Sequence, residues 1–496
     1  MASGERIDPP LRLAQLGDVT QGTFGGVVGN EEIGANFFKN NPNINVTGKG
    51  VIIGIANSGI DYLHEDFIYA DRTSKIIALW DQTKEGNPPS GYKIGTEYTR
   101  EDINRAIREN DKSLSTDEEG IGTMLSGICC GLGNGDNRYQ GVATDAELII
   151  VKLAKLDGNY TSSLLYAAMA YIYNKALELN RPLIFNLGLG SNQQVAITSR
   201  TIGNKFFFLR GIMAIEGAGN EGNTQTHTSG VLSSIGDEKD IDLEIEEDED
   251  EVTIQIWVNR PDKVDVEVIS PSEEISKTSQ ASAYNVVYGL FDLDQTSYLI
   301  YSTYPTTQSG QQLINISLIN AKRGTWRIRL IGSYITNGIY NAYLENRAFL
   351  KPGTRFSQSN PSSTINYPGT YEDAITVGAY DSKNNTIWPS SSRGPLLDSS
   401  QKPDILAPGV DIIAPYPGNR YAMITGTSAA ASYTAGSVAL FLQYILVNNI
   451  YPEKAFVQNI ATYLKTGATR VSNISYPNES YGYGILNIRG AFEQLR

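Results

Sequence analysis

The sequence predicts an α/β protein, a parallel sheet flanked by helices, with an all-β domain inserted into it. Two observations carry this. Short continuous apolar runs alternate with helix-length segments near both ends of the chain. Between them lies a stretch whose apolar residues recur with period two, as in strands buried on one face only.

Taken in order, residues 1–48 carry turn signals at Thr23-Phe24-Gly25-Gly26 and Asn40-Asn41-Pro42-Asn43, and are expected to wrap the surface of the α/β domain after them. Residues 50–56 form the first unbroken apolar run, the pattern of a strand buried on both faces. Similar runs recur at 147–151, 182–187 and 211–215, with a helical pattern over 162–179. From 232 to 350 the texture changes. Segments 252–258, 264–268 and 325–330 alternate apolar and polar residues, which predicts antiparallel strands packed as a sandwich. The unbroken apolar texture returns at 374–379. The expected divisions are an N-terminal segment 1–48, an α/β domain in two parts, 49–231 and 351–496, and the β insertion 232–350.

Composition narrows the function classes. The chain has 496 residues and a formal charge of -14, and the stretch 237–251 alone holds eleven carboxylates and one lysine. That run reads as a solvated acidic strand edge, with a cation site or a docking patch for a basic partner as the functional alternative. No basic stripe is present, so nucleic-acid binding is not expected. No unbroken apolar run of about 18 residues predicts a transmembrane segment, and Met1 to Arg6 show no signal-peptide pattern. Cys129 and Cys130 are adjacent and are expected to pack in a helix rather than to pair or bind zinc. No cofactor and no metal is implied.

Three segments carry chemistry. They are Ile55-Ala56-Asn57-Ser58-Gly59-Ile60-Asp61 at the end of the first strand, Glu119-Gly120-Ile121-Gly122-Thr123-Met124 at a helix start, and Thr425-Gly426-Thr427-Ser428-Ala429-Ala430-Ala431 at a turn into an apolar helix. Further landmarks are Gly217-Ala218-Gly219-Asn220-Glu221-Gly222, Tyr367-Pro368-Gly369, Ser392-Arg393-Gly394-Pro395 and Lys402-Pro403-Asp404. In this order they resemble the subtilisin family of serine proteases, over roughly 49–230 and 363–496. The resemblance implies a subtilisin-like fold, with Ser428 as the nucleophile position and Asn220 with the Ser428 amide as the oxyanion hole. It also implies a peptide-binding edge at Asn186, Leu187 and Gly188.

The departures from that pattern are specific. The family's acid falls at Asn57 and its histidine base at Ile121. An amide cannot supply the acid's charge, and an isoleucine cannot accept a proton. The only histidines are His64, expected to serve a turn, and His227, seven residues past Asn220. A chain with these changes is expected to be a pseudoprotease, its groove filled around Ile121. The alternatives are a serine protease with an unconventional base, recruiting His227, and a carbohydrate-binding scaffold.

The large β insertion and the segment Ile76-Ile77-Ala78-Leu79-Trp80-Asp81-Gln82 resemble more narrowly the Csp subtilisin-like proteins of clostridial spores. That resemblance implies a jelly-roll insertion and, with the altered triad, one of the family's inactive members. The 48 residues before the first strand are too few for the usual prodomain, which suggests the inactive kind made as the second half of a fusion with an active partner. The implied role is regulation of spore germination in the cortex or coat region. The implied partners are other Csp-family proteins and germinant small molecules.

Overall fold

The computed structural model describes residues 10–39, 41–194, 209–307 and 309–495; Met1 to Arg6, expected to lack a signal peptide, lie outside them. A nine-stranded mixed sheet organises the α/β part. At its centre Ile212–Gly217, Leu183–Leu187, Ile52–Asn57, Glu147–Lys152 and Ile76–Asp81 lie side by side in parallel. Ala374–Asp381 continues the parallel order, and Thr96–Thr99 closes the opposite edge antiparallel. The unbroken apolar runs are explained by this position. Every residue of Ile52–Asn57, Leu183–Leu187 and Ile212–Gly217 is buried, because helices cover both faces.

One face packs against the helices Ile121–Cys130 and Thr427–Leu442, the other against Ser162–Glu178. Thr427–Leu442 is buried at every position and runs on through a π-helical turn, Gln443–Val447. By length and composition the combined helix Thr427–Val447 could cross a membrane, although no unbroken apolar run announced it. Here 83% of its apolar window is buried inside the protein, as a core helix. Cys129 and Cys130 are both buried in the helix before it, with Cys129 Sγ 3.3 Å from the Asn186 amide nitrogen.

The stretch with period two builds two antiparallel sheets. One has six strands, with Glu249–Val258 and Gln312–Ala321 at its centre, and the other has four, with Gly324–Tyr334 and Glu238–Ile245 inside. The sheets share a core of their own in which Val252, Ile254 and Ile256 meet Val264, Val266, Val268, Trp326 and Ile328. Their strands begin at His227–Val231 and end at Arg355–Phe356, so the unit reaches past 232–350 at both ends.

The acidic run lies along two of these strands and the turn between them, and Glu238, Asp240, Glu246 and Asp248 pair with cations. Asp240 takes both nitrogens of the Arg329 fork at 2.8 and 2.9 Å, Glu246 pairs with Arg355 and Asp248 with Lys322. Glu249 accepts from the Lys351 amide and the Thr354 hydroxyl. Among the described residues no three histidine, cysteine or carboxylate side chains group as metal ligands.

Candidate functional site

Each of the three segments ends an element of the α/β core. Asn57 is the last residue of its strand and is buried. Its amide oxygen accepts the Ser58 N–H at 2.8 Å. Ile121 opens the helix Ile121–Cys130, whose first amides would be orphans without partners. Asp117 accepts the N–H groups of Gly120 and Thr123, each at 2.8 Å, and the Ser58 hydroxyl accepts that of Gly122 at 3.0 Å. The Ile121 side chain is buried in the same core cluster as Ala429 and Ala430. Ser428 stands in the first turn of the helix Thr427–Leu442 and is buried. Gly188 brings two of these positions together. A Cβ there would lie 2.5 Å from Leu125 Cδ1, 3.2 Å from Asn57 Nδ2 and 3.3 Å from Ser428 Cβ, so a larger residue would have to displace Leu125 and crowd both positions.

The groove beside Ser428 is occupied by the chain itself. Strand Arg12–Gln15 runs antiparallel to both Tyr160–Thr161 and Leu189–Gly190, as the middle of three. The Leu16 amide then donates to the Gly188 carbonyl at 3.0 Å. The Leu16 side chain is buried where glycines leave room. Cβ atoms at Gly190 and Gly217 would stand 3.2 and 3.1 Å from its Cδ1. Burying a leucine in this way stabilises docking by about 1.5–3 kcal/mol. Past Gly17 the strand Asp18–Gln21 pairs antiparallel with Arg420–Thr425.

At the centre the Leu16 carbonyl oxygen accepts two hydrogen bonds from one residue. They come from the Ser428 amide at 3.1 Å and the Ser428 hydroxyl at 2.8 Å. The hydroxyl thus spends its proton on the carbonyl oxygen of the peptide it faces. Gln15 reaches the other side of the centre. Its Nε2 donates to Asn57 Oδ1 at 3.0 Å and to Glu119 Oε2 at 2.9 Å. Burial would raise the Glu119 carboxyl, but donors from Lys155, Tyr160 and Gln15 outweigh it and hold it below the usual carboxylate range. Asn220 turns its amide oxygen to Thr427, accepting from the backbone N–H and the hydroxyl, each at 3.1 Å.

Both histidines are committed to structural contacts. His64 is buried, caps the turn Glu65–Phe67 by accepting the Asp66 N–H, and holds the Arg420 carbonyl through Nε2 at 2.9 Å. The His227 ring is engaged at both nitrogens, by the Asn360 carbonyl at 2.9 Å and Asn341 Oδ1 at 3.1 Å, and packs on Tyr343. Burial pushes its pKa down. Of the residues expected on the peptide-binding edge, Asn186 lies instead inside the sheet between Ile52–Asn57 and Ile212–Gly217, and Leu187 pairs with Glu216. Asn186 spends its amide on Ser432 at 2.8 Å. The stretch that pairs with an extended segment is Gly188–Gly190, because the chain leaves the sheet after Leu187. Sequence reasoning looked to Ile121 to fill the groove and missed the residues 12–21 that occupy it; the only local signal is the glycine after Leu16.

Comparison with known proteins agrees with this architecture. The subtilase family model of peptidase S8 matches residues 48–286 and 336–484, more than half of the chain. Subtilisin DY of Bacillus licheniformis is 30% identical over 185 residues, which cover 37% of this chain and 58% of that protein. Subtilisin BL of Lederbergia lenta is 36% identical over 135 residues, 27% of this chain and 44% of that protein. The chain therefore spans about half the length of these relatives. The solved structure of the Clostridium perfringens CspB protease superposes with a TM-score of 0.85 at 28% identity, over 94% of this chain and 97% of that one. With a family model over most of its α/β part and a Csp neighbour along nearly its whole length, the chain belongs to the subtilase family and has the subtilisin-like α/β fold.

Proposed function

We propose that this chain is a catalytically inactive member of its family, a pseudoprotease that acts by binding. One observation carries the reading. The Leu16 carbonyl is seated against Ser428, whose hydroxyl donates to its oxygen, while asparagine and isoleucine stand at the acid and base positions. A serine hydroxyl is a weak nucleophile until a base takes its proton, and loss of the base alone costs such enzymes on the order of a millionfold. Asn57 offers an amide, Ile121 a hydrocarbon, and both histidine rings are committed to other partners.

The likeness to a Csp protein supports a narrower role. The chain works in the bacterial spore, in its cortex or coat region, as a regulator of germination upstream of cortex-hydrolase activation. Its partners are other Csp-family proteins and germinant small molecules. The inserted β unit is the family's jelly roll and stiffens the groove from one side. The test is a spore strain carrying Ser428→Ala. Germination equal to that of the native strain is the expected result, because the role needs no nucleophile. Loss of germination with the protein present at normal level would overturn the reading.

A further inference from the structure

We propose that the inserted β unit supplies the groove with a subsite for an arginine side chain, and that the groove takes extended peptides with arginine four residues before the one seated beside Ser428. This rests on the binding role and goes further, since it names what the groove recognises.

The present occupant of the subsite is Arg12. Its Nε donates to Glu345 Oε1 at 2.9 Å, and its Nη2 pairs with Glu345 Oε2, so the fork meets the carboxylate with two bonds. The same guanidinium lies over the Phe349 ring, 5.0 Å from its centre. A planar cation is held on its edge and on its face, an arrangement that suits arginine and not the round ammonium of lysine.

The receiving side is built before any peptide arrives. Glu345 directly succeeds the strand Ile339–Leu344 and its side chain is only 7% exposed. The next residue, Asn346, is fixed to the α/β part. It accepts the Asn192 amide at 2.7 Å and donates to Glu221 at 3.1 Å and Asn366 at 3.2 Å. The Arg347 amide donates to Glu221 as well. Glu345 is therefore anchored through its neighbours and not by Arg12 alone. Burial raises its pKa, and the charges of Glu251 and Glu249 add to that, while Arg12 opposes both. With Arg12 withdrawn, Glu345 would keep its place and lose the cation that opposes its burial.

The subsite lies apart from the catalytic position. Four residues of extended strand separate Arg12 from Leu16, about 13 Å at the usual rise. Recognition of arginine there needs no chemistry at Ser428, and both parts of the fold must be docked for it to exist.

The first test uses the full chain and hydrogen exchange at the amides of Leu13 to Leu16. Arg12→Ala, Arg12→Lys and Glu345→Gln are each expected to speed exchange at least tenfold. The double variant Arg12→Ala with Glu345→Gln should be no faster than the faster single. Native-like protection in Arg12→Lys, or additive effects in the double variant, would overturn the proposal. The second test gives a Gly17→Val chain a labelled peptide copying residues 12–21, beside the same peptide with alanine for its arginine. At least tenfold tighter binding of the arginine peptide is expected, with the preference abolished by Glu345→Gln. Equal binding of the two peptides, or binding of neither, overturns it. Cleavage of the bound peptide, read from its mass, would instead contradict the inactive reading and leave the arginine preference intact.

Discussion

Gly17 is the point at which the bound segment can be forced out with the least change. A Cβ placed on it would stand 2.6 Å from Ser428 Oγ and 2.7 Å from Ile424 Cδ1. Both are well inside the ~3.5 Å at which non-bonded atoms begin to attract. Overpacking of this kind costs about 1–3 kcal/mol, so Gly17→Ala is expected to shift the docked segment toward release roughly 5- to 150-fold. Hydrogen exchange reads this directly, because the Leu16 amide is protected by the Gly188 carbonyl and the Ser428 amide by the Leu16 carbonyl. Both should exchange faster by that factor, while amides of the central sheet strands do not change. In a Ser428→Ala background, which lacks the nearer clash as well as the hydroxyl's bond to Leu16, Gly17→Ala should speed exchange by a smaller factor than in the native chain. Unchanged exchange in Gly17→Ala, or an equally large effect of it in the Ser428→Ala background, would refute the seating of Gly17 against Ser428.

Restoring the acid and base with Asn57→Asp and Ile121→His should return much of the roughly millionfold lost with the base. The product expected by mass spectrometry is a single cut between Leu16 and Gly17, with no steady hydrolysis of added peptide, because the cut segment stays docked. Steady turnover of an added peptide with 12–21 uncut would sink the filled-groove account. Glu216 is fully buried in the strand Ile212–Gly217, has a carboxylate oxygen without a partner among the described residues, and has its pKa raised far up by burial. Its folded pKa exceeds its unfolded one, so its contribution is greatest in acid and is lost as pH rises through that interval. Glu216→Gln should therefore raise the melting temperature relative to the native chain by a margin that grows as pH rises above the ordinary carboxylate range. A gain as large at the acid end as at the alkaline end would contradict the assignment.

What was legible in the sequence depended on how local the signal was. The strands Ile52–Asn57 and Leu183–Leu187 are unbroken apolar runs because both faces are covered, and the alternation in Lys263–Ile269 reports one buried face. Asn57, Ile121 and Ser428 could be named because short motifs fix their places at element ends. The docked segment had no such signal. Arg12–Gln15 is four residues long, its strand partners lie at Tyr160–Thr161 and Leu189–Gly190, and Leu16 after it meets Ser428, so nothing periodic marks it. The edge expected at Asn186 and Leu187 failed for a related reason. A motif locates a stretch of chain, while the residue at which it leaves the sheet is decided by neighbouring strands. Glu216 carries no warning either, since its carboxylate completes a strand of otherwise apolar and small residues.

On the proposed reading Ser428 is unreactive for want of a base, and not merely because a segment covers it. The direct measurement is intact mass after incubation with a fluorophosphonate probe, on the native chain and on Gly17→Val, with hydrogen exchange showing that Leu16 is released in the variant. Without a base no stoichiometric label is expected on either protein, even with the groove open. Stoichiometric labelling of Ser428 in the opened variant would contradict it.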